Sequence, residues 1–480
     1  MSLNRDVCYR AVCSRDARFD GQFFTGVKTT GIYCRPICPA CTPLLKNVEF
    51  FPTAAAAQAA GFRPCLRCRP EAAPDFGAWH GASDTVSHAL ALIELGALDE
   101  SPVGALATRL GVGERQLRRL FRRHLGASPV GVAQTRRVLL ARQLIRETRL
   151  TMTEIAFAAG FGSIRRFNET FLALYGRPAS DLRTSGTARA AAGEDGEIVL
   201  RLPYRPPYDW PAMLEFLRER AIPGVEEVRD GQYRRTIEFG GERGVVAVRP
   251  GAGDALRVAV RFRRLASLPV IIARVRRVFD LAADPAPIAA HLAADPLLAS
   301  LVDARPGLRV PGGWDGFELA IRAVLGQQIT VAAAVRLAGK LVAAHGTRLA
   351  EADGGLTHVF PRPEVLVAAN LAALGMPRSR ASYLSAVAAV AGTGRFDAAR
   401  NLDDALRDLR AIRGIGEWTA HYIALRALRE PDAFPAADVG LMRAMASLDG
   451  GTWTAARLLK RADTWRPWRG YAAQHLWTAL

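Results

Sequence analysis

Lysine is nearly missing from this chain. Only four of its 64 basic residues are lysine (Lys28, Lys46, Lys340 and Lys460), so chemistry that needs a lysine amine has few places to occur. Cysteine is confined to the start: all seven lie before residue 69. That excludes a disulfide framework for most of the length and suits metal ligation in a reducing cytosol. No apolar run reaches membrane-spanning length, and no signal peptide opens the chain, so a cytoplasmic location is expected. No repeat of solenoid type is visible. Acidic residues are in deficit, 46 against 64 basic, which leaves a net charge of +18. Such a balance favours a polyanionic partner. The 480 residues are enough for three or four domains.

What is present begins with two close cysteine pairs. Cys34-Arg-Pro-Ile-Cys38 and Cys65-Leu-Arg-Cys68 have the spacing of a tetrahedral thiolate zinc site. An inert structural knuckle satisfies that spacing. The first pair, however, has one residue more than the usual knuckle and encloses a rigid Arg-Pro. Zinc also keeps a bound thiol deprotonated near neutral pH, so one sulfur can be a nucleophile as well as a ligand. Cys8 and Cys13 match no ligand spacing and read as small core residues.

The segments Val27-Lys-Thr-Thr-Gly-Ile-Tyr-Cys-Arg-Pro-Ile-Cys38, Asn47-Val48 and Ala60-Gly-Phe-Arg-Pro-Cys-Leu-Arg-Cys68 resemble the amino-terminal domain of the Ada adaptive-response proteins, over about residues 4–72. The resemblance implies a zinc-bound thiolate that takes a methyl group irreversibly from a methylphosphotriester in DNA. It makes Cys34 the acceptor, with Arg35 beside it to hold the phosphate. Cys41 is then a bystander thiol or a substitute ligand after methylation. No cysteine follows Cys68, so the Pro-Cys-His-Arg site of O6-alkylguanine transfer, which many Ada proteins carry, is absent here.

After a short link at 73–84, residues 85–183 read as helices with short turns. Two stretches, from Leu106 to His124 and from Met152 to Phe171, fit helix, glycine turn, helix. The second helix of each would enter a major groove. Arg115, Gln116, Arg118 and Arg119 face the groove in the first; Ser163, Arg165, Arg166 and Asn168 face it in the second. Leu117, Leu120, Phe121, Phe167 and Phe171 lie on the core side. Residues 103–183 hold 15 arginines against five acids, a net +10, which a merely solvated helical surface could also carry. With the closing Phe171-Leu-Ala-Leu-Tyr-Gly-Arg-Pro-Ala, the pair resembles an AraC-type DNA-binding domain. Joined to an Ada-type sensor it implies a methylation-activated transcription factor that can recruit RNA polymerase. The switch needs little motion. Four thiolates on Zn²⁺ carry a net charge near −2, and methylation of one leaves about −1, which strengthens binding beside DNA phosphates.

Residues 184–197 lack large apolar residues and read as a flexible linker. Strands are expected at 198–202, 234–239, 244–248 and 256–260, with a helix at 210–220; from 270 onward helix dominates. Arg407-Asp-Leu-Arg-Ala-Ile-Arg-Gly-Ile-Gly-Glu-Trp-Thr-Ala-His-Tyr-Ile-Ala424 is a helix-hairpin-helix. Gly414 and Gly416 let backbone N–H groups approach a phosphate, although plain helix capping explains them too. Asp438 follows in Phe434-Pro-Ala-Ala-Asp. An Asp before a helix is most often an N-cap.

Hairpin and aspartate together look like the HhH-GPD DNA glycosylases. Pro206–Phe216, Gly316–Thr330, Gly414–Tyr422 and Trp465–Trp477 extend the likeness to the AlkA-type 3-methyladenine glycosylases over about 197–480. The resemblance makes Asp438 the carboxylate that stabilises an oxocarbenium ion at C1′. It places Phe216, Trp418, Tyr422 and Trp477 around a flipped, positively charged base, although the same aromatics could be core. It also implies a monovalent cation at the hairpin. Two positions depart from the family: Gln328 stands where a DNA-wedging leucine is common, and Gly440 replaces a leucine, which should widen the pocket. No lysine lies between Lys340 and Lys460, so Schiff-base lyase chemistry is not expected.

The expected architecture is multidomain: a small α+β zinc domain (1–72), an all-α double helix-turn-helix (85–183), the linker (184–197), an α+β sheet domain (198–280) and an all-α HhH-GPD domain (281–480). The chain is expected to act as a monomer on double-stranded DNA. Two rival readings remain, a regulator with an inert glycosylase half and a DNA-targeted enzyme without gene control. Asp438 with its aromatics argues against the first, and two complete helix-turn-helix units argue against the second.

Overall fold

The computed structural model describes residues 4–73, 84–99, 101–183, 197–393, 396 and 401–480. The expected link (73–84) and linker (184–197) lie outside these, apart from residues 73, 84 and 197. Among the described residues no helix is long and apolar enough to cross a membrane. The chain divides into two compact units, Met1–Pro203 with Arg264–Ala273, and Tyr204–Arg263 with Arg274–Leu480.

The first unit opens with the helix Arg5–Ser14, followed by a four-stranded sheet in the order Val48–Phe51, Phe24–Val27, Ile32–Cys34, Arg63–Pro64. Only its last pairing is parallel, with Tyr33 opposite Pro64. Gly26 sits in the central strand because any Cβ there would lie 2.7 Å from the Phe51 ring and 2.9 Å from Phe62. Among the described residues six α-helices follow: Asp84–Glu94, Val103–Arg109, Glu114–Leu125, Pro129–Glu147, Met152–Ala158 and Ile164–Tyr175. The helix Met152–Ala158 begins with a capping box between Thr151 and Glu154. Ser163 caps Ile164–Tyr175, and Gly176, at φ 67°, ends it.

The zinc-domain segment and the helix-turn-helix segment are not separate beads, although the expected link suggested that. The long helix Pro129–Glu147 packs on the sheet domain through buried polar pairs. Arg142 and Glu71 meet at 3.0 Å, each side chain only 1% exposed. Arg69 reaches Glu147 at 2.9 Å. Gln58 donates to the Tyr33 hydroxyl at 3.0 Å and accepts from Thr135 at 2.8 Å. Such pairs hold orientation more than they add stability, because desolvation offsets most of the attraction. Gln143 and Glu147 of the same helix also bond the backbone of Arg201, at 2.8 and 3.0 Å. The strand Ile198–Pro203 groups with the first unit by its contacts and is the edge strand of a five-stranded sheet.

The second unit contains an antiparallel meander: Glu226–Arg229, Gln232–Phe239, Glu242–Pro250, Ala255–Arg261. The first of these strands was not expected. Glu-Glu-Val-Arg shows no apolar alternation, and its pairing is imposed by the Asp230-Gly231 turn, both residues at positive φ. The helix Trp210–Glu219 stands where it was expected. Further on, a hairpin of Thr347–Asp353 and Leu356–Val359 interrupts the helices. Its alanines and acids masked it, and the Asp353-Gly354 turn was the available signal.

Four helices frame the site: Gly316–Leu325, Glu417–Arg426, Val439–Asp449 and Arg469–Thr478. Val324, Leu325, Ile423, Ala424, Leu441, Met445 and Leu476 bury them against one another in a single core. Each such large side chain contributes roughly 1.5–3 kcal/mol by leaving water.

Candidate functional site

The four cysteines are brought together by strand pairing. Cys34 ends the strand Ile32–Cys34, and Cys65 follows Arg63–Pro64, its N–H donating to the Tyr33 carbonyl at 2.9 Å. The ligand atoms of Cys34, Cys38, Cys65 and Cys68 all lie within 4.8 Å of one another, and Cys38 Sγ is 4.0 Å from Cys65 Sγ. Tetrahedral Zn–S bonds of about 2.3 Å require sulfur separations of roughly 3.8 Å, so the cluster fits Zn²⁺ with little contraction.

The sulfurs are not equivalent. The Arg35 N–H donates to Cys68 Sγ at 3.3 Å, and the Arg67 N–H to Cys65 Sγ at 3.4 Å. Cys65 and Cys68 are also buried. Cys34 is half-buried, and among the described residues no backbone N–H donates to its sulfur. Cys8 is buried, whereas Cys13 and Cys41 are exposed, so the expectation that Cys13 is core is not met.

Arg35 needs a correction. Its guanidinium was expected to hold a phosphate, but it is only 11% exposed. It is ion-paired with Asp20 and donates to the carbonyls of Cys68 and Arg69, at 3.1 and 3.4 Å. Its arrangement tightens the loop around the cluster instead.

In the helix-turn-helix segments, Leu117, Phe121, Phe167 and Phe171 are fully buried, and Leu120 is half-buried. Arg115, Arg118, Arg119, Ser163, Arg165, Arg166 and Asn168 are exposed, and Gln116 is half-buried. Arg118 pairs with Glu114 and Arg165 with Glu169, both at 2.7 Å. Such exposed pairs are weak enough to yield to a phosphate.

In the second unit, a cavity of about 800 Å³ contains Phe216, Trp418, Tyr422, Asp438 and Trp477 in its lining. Asp438 caps the helix Val439–Asp449, its Oδ1 accepting from Leu441 N at 3.0 Å. The same carboxylate accepts from Trp477 Nε1 at 3.1 Å, while Oδ2 accepts from Trp418 Nε1 at 2.6 Å. Asp438 is therefore an N-cap that also lies in the cavity lining. Trp418 stacks on Tyr422 at 5.1 Å and 13°, and Tyr422 meets Trp477 edge-on at 6.5 Å. All four aromatics are half-buried, so they form walls rather than core.

The hairpin glycines differ in their reasons. Gly414 has φ 92°, and a Cβ there would lie 2.1 Å from Tyr383. Gly416, the N-cap of Glu417–Arg426, has ordinary φ and open space in front of it, where an anion would meet the helix N-terminus. Gln328 is exposed at φ 58°, an uncommon conformation for a side-chain-bearing residue. At Gly440 a Cβ would come within 2.9 Å of Asp438 Oδ1 and 3.2 Å of Leu480. The vacated space is thus already taken, and the expected widening of the pocket there is not seen.

Three residues escaped sequence reasoning. Gln327 donates to the Gly414 carbonyl at 2.9 Å and the Thr419 hydroxyl at 3.0 Å, tying the Gln328 loop to the hairpin; a Gln-Gln pair gives no hint which one turns inward. His421 Nδ1 accepts from Phe434 N at 3.1 Å and so steadies the segment leading to Asp438. Arg426 lies buried against the cavity aromatics; a basic residue in a helix normally reads as surface.

Residues 7–71 match the metal binding domain of Ada, 106–185 a helix-turn-helix domain, 199–315 the AlkA N-terminal domain, and 321–469 the HhH-GPD superfamily of base excision DNA repair proteins. The probable bifunctional transcriptional activator/DNA repair enzyme AlkA of Mycobacterium tuberculosis is 45% identical over 478 residues, covering 98% of this chain and 96% of that protein. DNA-3-methyladenine glycosylase 2 of Escherichia coli is 37% identical over 58% of this chain and 95% of its own length. The bifunctional transcriptional activator/DNA repair enzyme Ada of Escherichia coli is 38% identical over 33% of this chain and 43% of itself. The solved 3-methyladenine DNA-glycosylase from Archaeoglobus fulgidus superposes with a TM-score of 0.52 at 24% identity, over 58% of this chain and 96% of that one, which shows a shared fold. With a full-length relative at this identity and four domain matches along one chain, this protein belongs to the family of bifunctional transcriptional activator/DNA repair enzymes that join Ada-type zinc and helix-turn-helix domains to an AlkA-type HhH-GPD glycosylase.

Proposed function

We propose that this chain scavenges methyl groups from DNA methylphosphotriesters, regulates transcription in its methylated form, and excises 3-methyladenine and related alkylated bases. The observation that carries the glycosylase role is a carboxylate, Asp438, held by two indole N–H groups in the wall of an aromatic cavity. Its charge faces the sugar carbon that becomes electron-poor as the base departs. Phe216, Trp418, Tyr422 and Trp477 receive the base, Gln328 fills the gap it leaves, and Gly414 and Gly416 hold the backbone phosphate. No lysine is among the cavity-lining residues, which supports simple hydrolysis to an abasic site. The direct test incubates the protein with DNA carrying both lesions and follows base release and protein mass together. Failure of both to change would overturn the reading.

Cys34, Cys38, Cys65 and Cys68 hold one Zn²⁺, which keeps the sulfurs as thiolates when bound. The acceptor is Cys34. Hydrogen bonds from N–H groups draw electron density from Cys65 and Cys68, and the resemblance to the Ada zinc domain selects Cys34 over Cys38. Its Sγ attacks the methyl carbon, the C–O bond breaks, and the electron pair leaves with the phosphodiester anion. Metal analysis should give one zinc per chain, and a Cys65→Ala/Cys68→Ala variant should lose it. Full zinc retention in that variant would remove the assignment.

Arg115, Arg118, Arg119, Arg165 and Arg166 contact promoter DNA through the two helix-turn-helix units. The five-part division into 1–72, 85–183, 184–197, 198–280 and 281–480 is the working domain plan. The protein acts in the cytoplasm as a monomer and presents RNA polymerase with its promoter-bound form. Methylation should tighten specific DNA binding, and the affinity should fall steeply with salt, by about 0.9 in log–log slope per phosphate contacted. Equal affinities before and after methylation at one salt concentration would eliminate the switch.

A further inference from the structure

Five arginines line the cavity: Arg220, Arg235, Arg305, Arg322 and Arg426. Four have carboxylate partners. Arg220 pairs with Glu219, Arg235 with Glu318, Arg305 with Asp209, and Arg322 with both Glu226 and Glu318. Arg426 has none among the described residues. It is 2% exposed, donates to the Pro311 carbonyl at 2.8 Å and to Gln474 Oε1 at 3.0 Å, and leaves its buried Nε without a hydrogen-bond partner. Its Cζ lies 4.4 Å from the Phe216 ring centroid, 5.1 Å from Tyr422 and 5.3 Å from Trp477. The aromatic faces expected to attract a cationic base therefore already surround a cation.

A buried charge without a counter-ion is costly, and it invites a role at the site where it sits. Burial pushes the Arg426 pKa down to about 10, so the group stays cationic at neutral pH. Resting on the glycosylase reading above, we infer that Arg426 is an electrostatic residue of the base cavity that stabilises the negative charge a neutral damaged base acquires as its bond to the sugar breaks.

The electron count explains why this matters for only one class of base. In hydrolysis the C1′–N bond breaks with its electron pair going to the base, and water supplies hydroxide to C1′. A cationic base such as 7-methylguanine becomes neutral as it leaves, and the water's second proton goes to solvent. A neutral base such as hypoxanthine leaves as an anion and takes that proton afterwards. Measured from free protein and free DNA, a fixed positive charge beside the cavity lowers the barrier for the second case most, because only there does the departing base become attractive to it. For the first case it opposes binding of the cation, and that repulsion disappears as the base is neutralised. Asp438 serves both cases because the charge on the sugar is common to them.

The test uses the full-length protein and duplexes bearing a single hypoxanthine or a single 7-methylguanine, with base release measured in single turnover at subsaturating protein, so that the second-order rate constant refers to free protein and free DNA. Arg426→Met should lose about 10²-fold on hypoxanthine, the scale of removing one preorganised stabilising group, and only a few-fold on 7-methylguanine. Arg426→Lys should recover much of the hypoxanthine rate, since it restores charge without the guanidinium geometry. If Arg426→Met does not fold by thermal melting, Arg426→Gln serves as the uncharged variant. Equal losses on both bases would make Arg426 a structural residue and overturn the inference. So would an unchanged hypoxanthine rate, or a wild-type protein that releases 7-methylguanine but no hypoxanthine. Wild-type inactivity on 7-methylguanine would instead defeat the glycosylase reading, and the inference with it.

Discussion

Replacing Asp438 with asparagine should slow release of 3-methyladenine from DNA by roughly 10²-fold or more, while methyl uptake by the zinc cluster continues at the wild-type rate. The carboxylate accepts three hydrogen bonds, from Leu441 N, Trp477 Nε1 and Trp418 Nε1. An amide keeps only one oxygen acceptor, so an indole N–H is left facing an NH₂ group and the negative charge is gone. The helix cap survives in part, because asparagine also caps well; melting temperatures of the two proteins should therefore stay close. Asp438 lies in the second unit and the four cysteines in the first, which is why methyl transfer should be indifferent to the change. The wild-type product should be an abasic site in an unbroken strand. Wild-type rates in the variant would reduce Asp438 to a helix cap, and strand scission without added base would contradict the hydrolytic mechanism.

The second large effect concerns Cys34. Methylphosphotriester DNA should add one methyl group, about 14 Da, to the peptide containing Cys34, and Cys34→Ser should abolish the gain. Cys41→Ser should leave it intact, because Cys41 is exposed and outside the four-sulfur cluster. The physical reason for choosing Cys34 is local. Arg35 and Arg67 direct their N–H groups at Cys68 and Cys65, so those sulfurs are hydrogen-bonded, buried and poorly nucleophilic. Label recovered on Cys38 or Cys41 would refute the assignment.

The glycosylase variants also distinguish positions that touch substrate from positions that hold them. Gln327 acts on the Gln328 loop through hydrogen bonds to Gly414 and Thr419, and His421 acts on the segment before Asp438 through the one it accepts from Phe434 N. Arg426, by contrast, borders the cavity itself, which is why its loss should depend on which base is leaving.

Much of this protein was legible in the order of its residues, because the relevant interactions are local. Cysteine spacing marks a metal site, since ligand reach allows few loop lengths. Gly-Ile-Gly between two helical patterns marks a hairpin, and Asp438 before an apolar helix marks a cap. Leu117, Phe121, Phe167 and Phe171 follow helical periodicity and are fully buried. Tertiary structure decided whatever depends on distant partners. Arg35 looked free for phosphate until Asp20, fifteen residues earlier, proved to hold it. Glu71 and Arg142, 71 positions apart in sequence, pair in a dry interface that joins two segments read as separate domains. The same holds for charge: an arginine in an amphipathic helix reads as surface, and only the packing of Phe216, Tyr422 and Trp477 around it makes Arg426 a buried cation. Sequence patterns report which face of an element is apolar, but which remote group neutralises a buried charge is settled only when the elements meet.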